Sequence, residues 1–189
     1  MIMLAIALGR RDLKEFDQVV SLYTFERGKL NLLAKGIKKM TSKNAAGLER
    51  PTFSEIEVAE GKEFDHLTKV QALEMYGNIR RDLTKSFLAG YAVRVLDEFT
   101  LTEEKDEKIF NLLLNFLHFL NTEPVKSPLN IINNYLLKLW SLFGYGEELE
   151  RFVKLPAEQL FVIIDKFVQV HNGRPLPDFI KNAKSLGII

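Results

Sequence analysis

The hydrophobic period of this chain changes near Gly77, and that change limits the possible folds more than any motif does. Before it, apolar residues come in short runs separated by turn signals. After it, they recur at helical spacing over long segments. Strands first and helices afterwards define an α+β chain with its two kinds of structure segregated. The expected division is residues 1–77 as a barrel domain and 78–189 as an all-α bundle.

Five runs in the first part read as strands: LAIALGRR, VVSLYTF, LNLLAKGI, SEIEVA and DHLTKVQAL. Between the second and third, Glu26-Arg27-Gly28-Lys29 is a hairpin signal, because glycine reaches the positive φ that such turns demand. Glu55 and Glu57 alternate with Ile56 and Val58, as on a strand with one wet face. Glu60-Gly61-Lys62 marks a second turn. Five short antiparallel strands in so few residues suggest a small barrel, and the OB-fold is one such barrel.

Four apolar stripes follow at i, i+3, i+4, i+7 spacing. They are Leu88–Phe99, Ile109–Leu120, Ile132–Phe143 and Leu160–Val168. Ser127-Pro128 offers a cap followed by proline at the first helical position, and Pro156 repeats the proline signal. Glu103 and Glu104 after Thr102 supply negative charge for a helix start. Phe110, Leu114 and Phe119 lie off the main stripe of the second helix, which predicts a central element packed on several sides. HNGRPLPDF ends the fourth helix, and a short tail is expected beyond it.

Composition removes several function classes. The chain has 189 residues, 47% of them apolar, enough for a real core and against a disordered class. With no cysteine there is no disulfide framework, no thiolate zinc site and no cysteine nucleophile, and a reducing cytoplasm suits it. In MIMLAIALGRR the charge follows the apolar run, unlike a signal peptide. The longest strongly apolar patch, IFNLLLNFLHFL, is shorter than the roughly twenty residues a bilayer needs. The expectation is a soluble cytoplasmic protein with no membrane segment.

Catalytic signals are missing. His66, His118 and His171 stand apart in different elements, with His118 read as half-buried in an apolar helix. No phosphate-binding loop, nucleophile elbow or dinucleotide fingerprint occurs. Glu55, Glu57, Glu60, Glu63 and Asp65 fall on solvated faces and turns. The expectation is a protein that is not an enzyme and needs no cofactor or metal.

The charge distribution says more. Acids and bases nearly balance, 25 against 26, yet from Arg27 to Leu48 there are six cations and no acid. If the third strand alternates, Leu30, Leu32 and Ala34 face the core while Lys29, Asn31, Leu33 and Lys35 share the outer face. The following loop adds Lys38, Lys39 and Lys43. Arg10 and Arg11 end the first strand, and Arg50 closes the far side of the loop. Such a cluster neutralises phosphates and releases counterions, which gives affinity without sequence preference. Aromatic rings available for base stacking are Phe16, Tyr23, Phe25, Phe53 and Phe64, some of which must fill the barrel.

The wording of several motifs resembles the RecO family of bacterial recombination mediators. The likeness opens with AIALGRRDLKEFDQVVSLYTFERGKLNLLAKGIKK and runs through GLERPTFSEIEVAEGKEFDHLTKVQALEMYGNIRRDLTKSFLAGYAVRVLDEF to VHNGRPLPDFIKNAKSL. It implies an N-terminal OB domain followed by a helical domain. It also implies binding of single- and double-stranded DNA, annealing of complementary strands and assistance in RecA loading with RecR. Further implications are contact with the acidic C-terminal tail of single-stranded-DNA-binding protein and a nucleoid association. The basic positions it carries over are Arg10, Arg11, Arg27, Lys29, Lys35, Lys38 and Lys39, with Arg50 inside the L-E-R-P element. Many members carry a four-cysteine zinc module after the G-Y segment. Here GYGEELERF runs directly into VKLPAEQL, so no zinc is carried over and RecR contacts are open to change.

Two rivals come from other classes. A helical adaptor would use the barrel as a scaffold and Trp140, Phe143 and Tyr145 as an aromatic docking surface, the alternative being that these rings pack the bundle. A nuclease would need carboxylates clustered at a groove.

Overall fold

The computed structural model describes residues 1–13, 15–37, 46–62 and 64–189. Five strands come first: β1 (Ile2–Asp12), β2 (Gln18–Thr24), β3 (Gly28–Ala34), β4 (Phe53–Ala59) and β5 (His66–Glu74). They close into a barrel in the order β1-β2-β3-β5-β4. All neighbours are antiparallel except β3 and β5, which meet in parallel where Leu33 faces His66 and Leu33 N–H donates to Asp65 O at 2.9 Å. This is the OB arrangement, and each expected strand overlaps one of the five observed, although the third was expected to run on to Ile37 and β3 stops at Ala34, which leaves Lys35 in the turn beyond it.

Alternation sorts the side chains. Met3, Ala5, Ala7, Val20, Leu22, Leu30, Leu32, Ile56 and Val70 fill the barrel. Ile6, Leu8 and Tyr23 point the other way and join the helical core. β2 is therefore buried on both faces, whereas β3 and β4 keep alternate residues partly exposed. The sheet separates two cores, and each gains by removing apolar surface from water.

The helices are α1 (Gly77–Arg81), α2 (Leu83–Phe99), α3 (Glu107–Thr122), α4 (Pro128–Trp140), α5 (Gly146–Glu150), α6 (Ala157–Asn172) and α7 (Phe179–Ser185), with a π-helical turn at Ser141–Tyr145. The four apolar stripes fall on α2, α3, α4 (running on into the π turn) and α6. α2 is the central helix: Leu88, Ala89, Ala92, Val93, Val95 and Leu96 are all fully buried. α3 packs towards the barrel, its Phe110 ring 5.5 Å from Phe25 and 6.3 Å from Phe53. Phe110 and Leu114, off its main stripe, are packed as expected, but its opposite side stays open, with Phe119 41% exposed, so the central place expected for this helix belongs to α2. His118 is exposed as well, lying on that outer side.

Other local readings shift. Asp106, not Glu103 or Glu104, caps α3 by accepting from the N–H groups of Lys108 and Ile109. Ser127 stands at the start of α4 without a side-chain cap bond, leaving Pro128 as the start signal. The expected tail is in part the helix α7. Asp178 caps it by accepting from Lys181 N–H at 3.0 Å, and Phe179 is fully buried against Phe87 and Tyr91.

The aromatic residues near the end of α4 are used for packing. Trp140 is 1% exposed, 5.2 Å from Phe99 and 4.9 Å from Phe143. Tyr145 sits 5.3 Å from Phe167 and 5.1 Å from His171. Trp140 is thus taken up by packing, while Phe143 and Tyr145 stay half-buried and line an open cavity of about 560 Å³.

Candidate nucleic-acid interface

The outer surface of β1, β2 and β3 forms an open polar groove of about 430 Å³ whose lining includes Arg10, Arg11, Lys29, Asn31, Arg50 and Asp97. Register places these residues. Gly9 pairs with Ser21 and Ser21 with Asn31; one step along, Arg11 pairs with Val19, Val19 with Leu33 and Leu33 with His66. With strands about 4.8 Å apart, this second row runs about 14 Å across four strands. An irregularity between Ala7 and Gly9 sets the pairing at the end of β1 that bears the arginines.

The nine cations expected at the interface divide into three groups. In the first, Arg10, Arg11 and Lys35 are exposed, with no ion pair to any described residue. Arg50 is exposed too and donates from a guanidinium nitrogen to Leu8 O at 3.1 Å, which fixes the side chain and leaves the charge unmatched. The second group, Lys38, Lys39 and Lys43, lies outside the described residues.

Arg27 and Lys29 form the third group, and both are tied to acids. Arg27 bridges Asp65 at 3.0 Å and also pairs with Glu103. The Asp65 hydrogen bond, aided by the charge of Glu103, raises its already high pKa. Lys29 Nζ lies 2.9 Å from Asp97 Oδ1 and also donates to the Asp97 carbonyl; its side chain is only 14% exposed. Ser21 donates to the same carboxylate at 2.7 Å. These cations hold the barrel to the helices. At the hairpin the two parts touch: Gly28 has φ 70°, and a Cβ there would lie 2.0 Å from Glu104 O. Glu103 N–H donates to Lys29 O at 2.8 Å, extending the sheet edge with the α2–α3 connection.

The aromatic candidates divide too. Tyr23 is buried, and desolvation with the nearby charges of Asp106 and Glu104 raises its pKa far above the ordinary phenol value. Phe25 and Phe53 pack on Phe110. Phe16 and Phe64 are exposed, 44% and 37%.

Sequence reasoning missed Asp97, the acid that organises the groove floor, since nothing in VRVLDEF marks it as more than a solvated helix residue. It also left unlocated a second surface, a groove of about 280 Å³ between α3 and α4. Leu112, Phe116, Phe119, Ile131 and Tyr135 wall it, with Lys138 at the rim. Among the described residues no group of three or more His, Asp or Glu could hold a metal ion. Among them, too, no helix is long and apolar enough to cross a membrane.

An OB barrel with a cationic outer groove, backed by a helical bundle, is a known plan among nucleic-acid-handling proteins. Comparison with known proteins narrows this. The family description "Recombination protein O N terminal" matches residues 2–76, and "Recombination protein O C terminal" matches residues 80–159. The chain is similar to proteins named DNA repair protein RecO. That of Desulforamulus reducens is 32% identical over 145 residues, covering 77% of this chain and 56% of the relative. Those of Symbiobacterium thermophilum and Geobacter metallireducens are 28% and 30% identical, covering 81% of this chain and 60% and 64% of the relatives. The matched part thus spans a little over half the length of such relatives. The chain belongs to the RecO family of DNA repair proteins.

Proposed function

We propose that this chain binds single- and double-stranded DNA on the outer face of its barrel and anneals complementary strands, with no covalent step. The observation that carries the reading is an open groove on the barrel lined by Arg10, Arg11 and Arg50, with Lys35 exposed just beyond the end of β3, none of the four paired with a described carboxylate. A phosphodiester backbone laid there exchanges its condensed counterions for fixed guanidinium and ammonium groups. Charge neutralisation lowers the repulsion that keeps a second strand away, and base stacking then drives pairing at about 1.4 kcal/mol per step. The proposed DNA-binding cations also include Lys38, Lys39 and Lys43, which follow Lys35 in sequence.

The partners proposed are RecR, with which the chain assists RecA loading, and the acidic C-terminal tail of single-stranded-DNA-binding protein. The α3–α4 groove suits the tail, because its apolar walls accept a hydrophobic peptide end while Lys138 meets the neighbouring acids. A cytoplasmic, nucleoid-associated location follows from these partners. The nuclease reading has little support, since Asp97, the acid among the residues that line the groove, is engaged by Lys29 and Ser21.

Annealing of complementary oligonucleotides coated with single-stranded-DNA-binding protein tests the proposal. The expected result is faster duplex formation with the chain present. No acceleration, together with no gel retardation of either DNA form at moderate salt, would refute it.

A further inference from the structure

A cleft of about 310 Å³ opens on the barrel at the seam where β3 meets β5, lined by Leu33, Lys62, Phe64 and His66. It lies beyond the cationic groove on the same surface. Asn31 lines the groove and Leu33 lines the cleft, and these residues are two apart on the outer face of β3, about 7 Å. The pairing row from Arg11 through Val19 and Leu33 ends at His66, so one row of the sheet joins a groove cation to the cleft.

The cleft differs chemically from the groove. Its lining combines a phenyl ring, an imidazole and a leucine side chain with one cation, Lys62. Phe64 is 37% exposed. The turn that carries it is held from three directions. Asp65 O accepts from Leu33 N–H, while its carboxylate binds Arg27 and accepts from Gly61 N–H at 3.3 Å. Gly61 is required there, because a Cβ would lie 1.9 Å from Phe64 O. His66 Nδ1 is shut off from solvent without a hydrogen-bond partner among the described residues, a cost that calls for a reason. An exposed ring beside a tethered Asp65, on a barrel face that also carries the groove cations, is suited to stacking a base.

We propose that Phe64 and His66 form a nucleobase-stacking subsite that receives an unpaired base of single-stranded DNA whose phosphates lie on Arg10, Arg11 and Lys35. Arg27 then acts as a positioning residue: through Asp65 it fixes the turn that presents Phe64. The inference rests on the DNA reading above. It adds that the strand is held by a base as well as by its backbone, so duplex, whose bases are stacked internally, gains nothing from this cleft.

The test compares binding of an oligothymidylate and an abasic oligomer of the same length, each labelled and followed by fluorescence anisotropy. Wild type should bind the thymidylate about tenfold or more tightly, and Phe64→Ala should erase that difference. Arg11→Ala should weaken both oligomers alike. Phe64→Trp supplies a second readout, since the chain has one tryptophan and Trp140 is buried. Its new exposed indole should keep the preference and be quenched by thymidylate, not by the abasic chain. If Phe64→Ala retains the full preference while Arg11→Ala weakens both oligomers, the stacking subsite is wrong and the DNA reading stands. If wild type binds neither oligomer, both fall.

Discussion

Lys29 Nζ lies 2.9 Å from Asp97 Oδ1, so a cation at the start of β3 is anchored to α2 behind the barrel. This ion pair separates two roles that positive charge plays in one segment. Arg27 and Lys29 join parts of the chain, whereas Arg10, Arg11, Lys35 and Arg50 face outward with no described acid on them.

Replacing Lys29 by methionine should therefore cost stability more than DNA affinity. It leaves a carboxylate that is two-thirds buried with Ser21 as its remaining partner. The expected loss is about 1–2 kcal/mol after discounting for solvent screening, seen as a lower urea midpoint. The salt dependence of DNA binding should change by less than one full phosphate contact.

Gly28→Ala tests how tightly the hairpin meets the α2–α3 connection. The new Cβ would collide with the Glu104 carbonyl, and φ of 70° is unfavourable for alanine. We expect a loss of about 2–4 kcal/mol in equilibrium unfolding. A stability within about 0.5 kcal/mol of wild type would contradict the close approach.

The strands and the four long helices were readable because their signals are local. Turn residues bound each strand, and each stripe repeats over more than two turns. Helix α7 was missed because its stripe is one turn long, Phe179, Ile180 and Ala183, and follows two prolines; Asp178 before it was the available start signal. The fate of the cations was not local. The acids that hold Arg27 and Lys29 are Asp65, Asp97 and Glu103, far along the chain, and no spacing rule joins them. Burial of Tyr23, Phe25 and Phe53 likewise depends on which side of the barrel the helices cover.

Tyr23, Tyr76, Tyr91 and Tyr135 all have their pKa raised, chiefly because burial disfavours the phenolate. A folded value above the unfolded one means the unfolded chain ionises first. Their stabilising effect is fully present below about pH 10 and is lost as pH rises towards the folded values. The urea midpoint should drop as pH rises above about 10, and phenolate absorbance should rise together with unfolding. Ionisation of these four phenols in the folded state near pH 10 would contradict their burial.

The α3–α4 groove gives an independent prediction. Ile131→Glu should abolish binding of an acidic peptide matching the tail of single-stranded-DNA-binding protein, and Lys138→Glu should weaken it about tenfold or more. Neither should alter affinity for bare oligonucleotides. Isothermal titration with the peptide checks this, and unchanged peptide binding in both variants would place the tail elsewhere.

The slope of log affinity for single-stranded DNA against log salt tests most directly whether the outward cations hold phosphates. In the triple variant Arg10→Ala, Arg11→Ala, Lys35→Ala the slope should shrink by about 2, or about 0.7 for each phosphate no longer neutralised, equally for unrelated sequences. The urea midpoint should stay near that of wild type. A slope and affinity indistinguishable from wild type would show that DNA, if bound, lies on another face.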